Sequence, residues 1–280
     1  MSLFRRRAAV PGDGAAGAAA ERASGPASGG GPAPGPVTET SPAFGGIVFD
    51  SVGVSVTGPD GAPRHLLQDV DLVLTEQRIA VIGANGSGKS TLLKLINGLV
   101  RPTSGTVRVV GLDVAESTAA VRRAVGFVFT DPLSQLVLST GRDDVDLSLR
   151  RSVPDRRQRA AAVEARLDRL GLLPLADQSI YDLSGGERQL MALAGVLAVD
   201  PAVLLADEPS TLLDLRNTAR LRSLFAALPQ QVLWTTHDLD FAGDADRILV
   251  VEEGRIVFDG APGPAIAEYR ARSAQAGAMH

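Results

Sequence analysis

The feature that most constrains the fold is a glycine-rich loop with a lysine–serine end, Gly83-Ala84-Asn85-Gly86-Ser87-Gly88-Lys89-Ser90. An apolar run precedes it at residues 79–82, and residues 91–96 follow it with the apolar spacing of a helix. In this strand–loop–helix context, glycines let backbone N–H groups turn toward phosphate oxygens, and the helix N-terminus adds positive potential. The alternative is a glycine-rich turn with an incidental Lys-Ser pair, which is disfavoured because every fixed position is present. The loop therefore predicts a nucleoside triphosphate site.

The positions of this loop have distinct expected roles. The Lys89 ammonium reaches the β- and γ-phosphates, and the Ser90 hydroxyl is placed to ligate Mg²⁺. The predicted nucleotide-binding set is Gly83, Asn85, Gly86, Ser87, Gly88, Lys89, Ser90 and Thr91. ATP and Mg²⁺ are the cofactors that follow from these roles.

Composition excludes several other classes of protein. The 280 residues carry a formal net charge of −4, which gives no electrostatic footprint for nucleic acid. There is no cysteine, so disulfides and thiolate metal sites are excluded. The longest apolar stretches are broken before 18 residues, and we therefore expect no membrane-spanning helix.

The order of patterns along the chain predicts an α/β protein. Residues 1–43 are dominated by Gly, Ala, Pro and Ser and are predicted to be disordered. An ATPase domain is predicted over 44–262, with a short tail at 263–280. Two antiparallel strands precede the phosphate-loop strand, and a helical subdomain over about 131–182 interrupts the core. Within it, Pro154 is expected to start a helix that Gly171 ends.

Apolar runs and turn signals place the remaining elements. Strands are predicted at 47–56, 66–74, 79–82, 106–110, 125–129, 203–206, 232–235, 248–251 and 256–258. Helices are predicted at 91–96, after Ser184, at 215–228 and around 265–272.

An acidic pair, Asp207-Glu208, follows the apolar run at 203–206. In phosphate-loop enzymes an acidic residue at this point holds Mg²⁺, and we assign Asp207 to that role. Glu208, one residue on, is placed to deprotonate the attacking water. Taken alone, the pair also fits an ordinary helix start, and only the phosphate loop makes the catalytic interpretation the stronger one.

A second motif, Leu183-Ser184-Gly185-Gly186-Glu187-Arg188-Gln189, precedes an apolar helix. Ser184 and Glu187 fit a capping box, which accounts for the helix start. That interpretation leaves the paired glycines unexplained, because glycine is unfavourable in the first turns of a helix. The motif resembles the signature of the ATP-binding-cassette (ABC) family, and the match extends over residues 47–260 in the family's order. The resemblance implies a P-loop core with an antiparallel β subdomain and an inserted helical subdomain.

The resemblance also implies a dimer and further site residues. In similar ATPases the signature faces the triphosphate held by the opposite subunit, so Ser184, Gly185 and Gly186 would act in trans. Asp214 matches the D-loop position at the dimer seam, and His237 matches the switch histidine beside the γ-phosphate. Without the resemblance, His237 would be taken as a satisfied histidine at a strand end.

Two positions depart from the family pattern. The family usually has an aromatic residue that stacks on adenine where this chain has Val56. The loop after the 125–129 strand usually begins with Gln, and here Thr130 stands at that position. The role of the family's glutamine would then fall to Gln135, to a water molecule, or to no group.

The loop that contains Thr130, Asp131 and Pro132 is similar to that of energy-coupling-factor ATPases, and with residues 207–217 it looks most like the biotin type. The resemblance implies an ATPase that drives import of a vitamin such as biotin. It would sit on the inner face of the membrane, paired with a second ATPase and bound to a coupling subunit and a substrate-binding subunit. Alternatives are an importer for cobalt, nickel or another vitamin, and an ABC ATPase acting on nucleic acid or the ribosome.

Overall fold

The computed structural model describes residues 46–58 and 61–278, and the disorder predicted for residues 1–43 lies outside them. The strands are β1 (Ile47–Thr57), β2 (Pro63–Leu74), β3 (Arg78–Ile82), β4 (Ser104–Val109), β5 (Leu112–Asp113), β6 (Val125–Val128), β7 (Val203–Ala206), β8 (Gln231–Thr235), β9 (Arg247–Glu252) and β10 (Arg255–Gly260). The α-helices are α1 (Lys89–Ile96), α2 (Thr118–Ala124), α3 (Gly141–Leu149), α4 (Arg156–Arg169), α5 (Gly185–Leu197), α6 (Leu215–Ala227), α7 (Leu239–Ala242) and α8 (Pro262–Ala278). Short 3₁₀ turns occupy Pro132–Ser134 and Leu173–Leu175.

The larger sheet positions the candidate site. Its strands run in the order β10-β9-β3-β8-β7-β6, and all neighbours are parallel except the β9–β10 hairpin. The carboxyl ends of parallel strands lie at the same edge of a sheet, and ligands bind outside that edge. The segments that follow β3, β6, β7 and β8 therefore meet at one edge.

Both faces of this sheet are covered. Every residue of β3, β6, β7 and β8 is buried, as their unbroken apolar runs predict. Val81 and Leu233 pack in the core shared with α1 and the smaller sheet. On the other face, the Trp234 ring packs against Phe225 of α6 and Phe241 of α7, with centroids 5.8 and 5.2 Å away. The predicted α/β class is confirmed.

The smaller sheet is antiparallel, in the order β2-β1-β4-β5. Its long β1–β2 pairing places Ile47 across from Leu74 at one end and Val56 across from Arg64 at the other. The strand pair predicted ahead of the phosphate loop is confirmed. The two-residue strand β5 was not predicted.

Helices α3, α4 and α5 share a separate apolar core that includes Val145, Val163 and Met191. Helix α4 begins at Arg156, two residues after the predicted start at Pro154. The reason is that the Asp155 carboxylate accepts a hydrogen bond from the Gln158 N–H and thereby caps the helix. The predicted domain boundaries stay predictions.

Helix α8 is longer than the predicted helix around 265–272, and it is packed against the sheet, with Ala265 fully buried. Over the described ranges, 46–58 and 61–278, no helix has both the length and the apolar character needed to span a membrane.

Candidate active site

The glycine-rich loop leads from β3 into α1, as its sequence predicts. Gly88 caps α1 with φ 113°, a left-handed conformation that favours glycine. A Cβ at Gly88 would also lie 2.8 Å from the carbonyl oxygen of Leu66, because β2 runs directly beside the loop. The glycine is therefore needed both for its conformation and for this close approach.

Lys89, the first residue of α1, is buried against its own loop. Its Nζ donates to the carbonyl oxygens of Gly83 and Ala84 at 2.9 and 3.0 Å. Burial lowers the pKa of Lys89, although Glu208 and Asp207 act in the opposite direction. The arrangement holds a cation beside the N–H groups at the start of α1, which is the electrostatic setting for an anion.

Asp207 lies directly after β7 and joins three elements. Its Oδ1 accepts hydrogen bonds from Ser90 Oγ and from Thr235 Oγ1, both at 2.8 Å. Its backbone N–H donates to Val128 of β6 at 2.9 Å, and its backbone carbonyl accepts from Thr130 Oγ1 at 2.9 Å. The side chains predicted to hold Mg²⁺, Ser90 and Asp207, are thus in direct contact.

Glu208 follows in a strained conformation, with φ 51°. Its N–H donates to Thr235 Oγ1 at 2.8 Å, while its carboxylate lies 2.9 Å from His237 Nε2 and 3.9 Å from Lys89 Nζ. Burial raises the pKa of Glu208 above the usual glutamate value, and the charges of His237 and Lys89 only partly offset this. A carboxylate with a raised pKa beside a phosphate-binding loop is suited to accept a proton.

These residues surround one open cavity of about 490 Å³. The residues that line it are Arg64, Leu66, Asn85, Gly86, Gly88, Lys89, Ser90, Thr91, Thr130, Glu208, Thr211 and His237. The predicted residues Gly83 and Asp207 do not line the cavity, but they accept hydrogen bonds from the lining residues Lys89 and Ser90. Ser87 does not line it either, and its carbonyl accepts from the Gly254 N–H at 2.8 Å. The structure therefore brings the phosphate loop, the acidic pair and His237 together.

Gln135 is placed elsewhere. Its amide oxygen accepts from the Phe129 N–H at 3.2 Å, and its amide nitrogen donates to the Ala192 carbonyl at 3.4 Å. The side chain thus fastens the loop after β6 to α5 and does not line the cavity. The alternative in which Gln135 replaces the family's glutamine at the site does not agree with this placement, whereas Thr130 does line the cavity.

The signature motif forms the start of α5, apart from the cavity lining. Ser184 and Glu187 make the capping box, with the Ser184 N–H donating to the Glu187 carboxylate at 2.8 Å. A Cβ at Gly186 would lie 2.6 Å from the Asn217 amide nitrogen of α6, while the nearest atom to one at Gly185 is the Leu212 carbonyl oxygen at 3.3 Å. Packing within the chain therefore supplies a reason for the second glycine that the sequence did not reveal.

Asp214 caps α6 beside this motif. Its carboxylate accepts from the Asn217 N–H at 2.7 Å. Ser184, Gly185, Gly186 and Asp214 thus meet where the N-termini of α5 and α6 come together, and none of them lines the cavity of their own chain.

Four residues at the site are not among the predicted ones: Arg64, Leu66, Thr211 and Thr235. Thr235 connects Asp207 to Glu208 through its fully buried side chain, and a hydroxyl at the end of an apolar run was a usable signal for it. Arg64 lines the cavity from β2, and no sequence signal identified it, because its position depends on the register of β2 against β1.

The sequence is similar to those of ATP-binding proteins of transporters. The family model for "ABC transporter" matches residues 67–211. The chain is 43% identical over 224 residues to the biotin transport ATP-binding protein BioM of Rhizobium etli, covering 80% of this chain and 97% of that protein. It is 39% identical to the energy-coupling factor transporter ATP-binding protein EcfA1 of Lacticaseibacillus paracasei, over 72% of this chain and 74% of that one.

Solved structures give the same result. The ATP-binding cassette MJ0796, a dimer in a post-hydrolysis state bound to ADP and Pi, superposes with a TM-score of 0.70 at 26% identity, over 77% of this chain and 98% of that one. The protein cbiO1 of Clostridium perfringens, part of the ABC transporter complex cbiONQ, superposes with a TM-score of 0.69 at 27% identity, over 81% and 93% of the two chains.

Proposed function

This chain belongs to the ABC transporter family and is an ATPase, and we propose that it is the ATP-hydrolysing subunit of an energy-coupling-factor importer whose cargo is biotin. The observation that carries the catalytic part is the Glu208 carboxylate, which lies in one cavity with the phosphate loop and within 2.9 Å of His237. The cargo and the membrane partners rest on similarity to BioM over 97% of that protein's length.

The residues of the cavity have complementary roles toward a triphosphate. The loop N–H groups and Lys89 bind phosphate oxygens, and the start of α1 adds its positive potential. Glu208 accepts the proton of the attacking water, and its raised pKa favours that transfer. His237, bonded to the Glu208 carboxylate at 2.9 Å, holds the base in place.

The Ser90 hydroxyl and the Asp207 carboxylate fit Mg²⁺. Both are oxygen ligands, which this ion prefers, and it characteristically takes only one or two protein groups beside phosphate oxygens and water. Their 2.8 Å contact supports the assignment, because it places both oxygens where they would hold the same ion. When bound, the ion neutralises charge on the phosphates.

The signature residues act on the nucleotide of a second ATPase subunit. Ser184, Gly185 and Gly186 lie outside the cavity of their own chain. Any triphosphate that they contact is therefore one bound by another copy of this chain or by a related chain. The N-terminus of α5, with its N–H groups, is the surface that would meet the phosphates, and Asp214 lies beside it. The dimeric state of the similar cassette MJ0796 supports this arrangement.

Dimer formation is testable by light scattering of the Glu208→Gln protein with Mg-ATP, which prevents turnover while binding persists. We expect a dimer with ATP and a monomer without it, and Lys89→Ala in the same background is the matched control that stays monomeric. A Glu208→Gln protein that stays monomeric at saturating Mg-ATP, alone or with its membrane subunits, would contradict the shared site.

The importer assignment is tested by purifying the tagged chain from its own membranes in mild detergent and reconstituting the co-purified complex in liposomes. ATP-dependent uptake of labelled biotin is expected, together with its loss in the Glu208→Gln complex. Uptake of Co²⁺, Ni²⁺ or another vitamin in place of biotin would leave the ATPase role intact and overturn the cargo. Co-purification with ribosomes and no membrane protein would overturn the importer itself.

A further inference from the structure

The wall of the cavity beyond the phosphate loop is built by strand β2. Arg64 and Leu66 both line the cavity, and the pairing of β2 with β1 is irregular at Leu66, between the pairs Val54–Leu67 and Ser55–His65. The Leu66 carbonyl approaches Gly88 so closely that a Cβ there would lie 2.8 Å away. This stretch of β2 is thereby fixed beside the loop that binds phosphates.

This wall faces the part of the nucleotide that the loop does not hold. The N–H groups and Lys89 bind the phosphates at the start of α1, so the base has to extend away from them along the cavity. The other lining residues belong to the phosphate loop and α1 or follow β6, β7 and β8, and they therefore surround the phosphate end: Asn85, Gly86, Gly88, Lys89, Ser90, Thr91, Thr130, Glu208, Thr211 and His237. Arg64 and Leu66 are the lining residues contributed by the antiparallel sheet.

Val56, at the position without the expected aromatic residue, lies beside this wall. Val56 lies directly across from Arg64 in the β1–β2 pairing, and it does not line the cavity. Residues that face each other in an antiparallel pair have Cβ atoms about 5 Å apart. The guanidinium is therefore carried on the strand next to the position where the family has its ring.

The chemistry of Arg64 suits a flat ligand. Its side chain is exposed and makes no hydrogen bond or ion pair within residues 46–58 and 61–278. Arg255 nearby differs, because its guanidinium pairs with Asp69 at 2.8 Å. A free guanidinium is planar and stacks on aromatic faces, which a lysine ammonium cannot do.

We propose that Arg64 and Leu66 form the base-binding wall of the site, with the Arg64 guanidinium stacked on the nucleotide base. A stack of this kind recognises the π face of any purine and reads no hydrogen-bonding edge. The wall therefore holds ATP and GTP with similar affinity. The inference rests on the proposed function, because it takes the cavity to be the ATP site.

The test uses the full chain and measures dissociation constants by calorimetry for the imido analogues of ATP and GTP and for inorganic tripolyphosphate. Removal of a cation–π contact weakens ligand binding by roughly threefold to thirtyfold. We expect Arg64→Ala to weaken both nucleotide analogues by about this factor and to leave tripolyphosphate affinity within about twofold. Arg64→Lys should recover only part of the nucleotide affinity, because it keeps the cation and loses the planar stack.

Arg108→Ala is the matched control, since it removes an exposed arginine of β4 that does not line the cavity, and it should change none of the three affinities. An equal loss for tripolyphosphate with rescue by Arg64→Lys would mean that Arg64 binds phosphate, and unchanged nucleotide affinity in Arg64→Ala would remove it from the site. Either result overturns the inference and leaves the proposed function standing. Only a wild-type chain that binds no nucleotide would remove both.

Discussion

The buried hydroxyl of Thr235 contacts both residues of the acidic pair, Asp207 and Glu208. It donates to Asp207 Oδ1 and accepts from the Glu208 N–H, each at 2.8 Å, and the side chain has 0% exposure. Glu208 has φ 51°, a conformation that costs of order 1–3 kcal/mol for a residue with a side chain. The hydroxyl therefore helps to hold Glu208 in a conformation that it would not adopt alone.

Thr235→Val tests this role because valine has nearly the same shape and no hydroxyl. The change removes a hydrogen bond to a charged group, worth about 1.5–3 kcal/mol, and leaves the buried N–H of Glu208 without a partner, at about 1–3 kcal/mol. These terms overlap, so we expect a loss of about 3–5 kcal/mol in the free energy of unfolding. Thr235→Ser keeps both hydrogen bonds and loses one methyl group, at about 1 kcal/mol.

Urea unfolding and steady-state ATP hydrolysis, both under conditions where each variant is folded, measure the two effects. We expect Thr235→Val to lower turnover by about tenfold to a hundredfold, because a displaced base loses alignment with the attacking water. Thr235→Ser should retain most of the turnover. If the valine variant matched the serine variant in both stability and turnover, the hydroxyl would not position Glu208.

Three further outcomes are expected from the same site. Glu208→Gln should abolish hydrolysis. It should also raise the free energy of unfolding at pH 7.5, because burial raises the pKa of Glu208 and so disfavours the charged carboxylate in the folded protein. This gain in stability should vanish below the ordinary glutamate pKa of about 4.3, where Glu208 is protonated in both the folded and the unfolded protein. Lys89→Ala should weaken ATP-analogue binding by roughly tenfold to a hundredfold in calorimetry, with unchanged affinity contradicting the phosphate-loop assignment. Gly186→Ala should destabilise the fold by about 1–3 kcal/mol through its clash with Asn217, and Gly186→Ala with Asn217→Ala should recover that loss in a double-mutant cycle. A double variant that is stable and yet inactive would assign the glycine a second role toward the partner's nucleotide.

Much of the fold was predictable because its signals are local. The strand–loop–helix unit from β3 to α1 is specified by an apolar run, a fixed glycine pattern and a helical repeat that are contiguous in the chain. Strand β7 and the β9–β10 hairpin were equally accessible, since a fully buried strand is a continuous apolar run and Glu253-Gly254 marks a turn. These units locate the phosphate loop and the acidic pair each at the end of a buried strand, and the pairing of β8 with β3 and β7 brings them to one sheet edge.

The elements that were missed are those with weak local patterns. Helix α3 has buried apolar side chains only at Val145 and Leu149, begins with glycine, and carries polar residues elsewhere. Its start is fixed by Thr140, whose side chain caps the helix by accepting from the Asp143 N–H. A four-residue spacing between two apolar positions is too short a repeat to distinguish a helix from a loop.

The contacts that complete the site depend on distances between elements. Thr235 reaches Asp207 only because β8 is paired with β7, and Arg64 reaches the cavity only through its register across from Val56. The sequence allows Gln135 as a substitute at the site because it lies near Thr130, yet a hydrogen bond to the Ala192 carbonyl directs its side chain toward α5. Register and rotamer are settled by packing, and a single sequence records neither.

The charges around Glu208 lead to one more expectation, about how binding of nucleotide changes its basicity. Lys89 lies 3.9 Å from the Glu208 carboxylate and partly counteracts the effect of burial on its pKa. Phosphate oxygens would compete for the Lys89 ammonium and would add negative charge beside the carboxylate, and both effects favour the protonated form. In the presence of a chelator, which excludes Mg²⁺ charge, we therefore expect the imido analogue of ATP to raise the pKa of Glu208 further. Infrared titration of the carboxylate band, assigned by its loss in Glu208→Gln, measures this shift, and a pKa that falls on binding would show that Lys89 is not the group through which the phosphates act on the base.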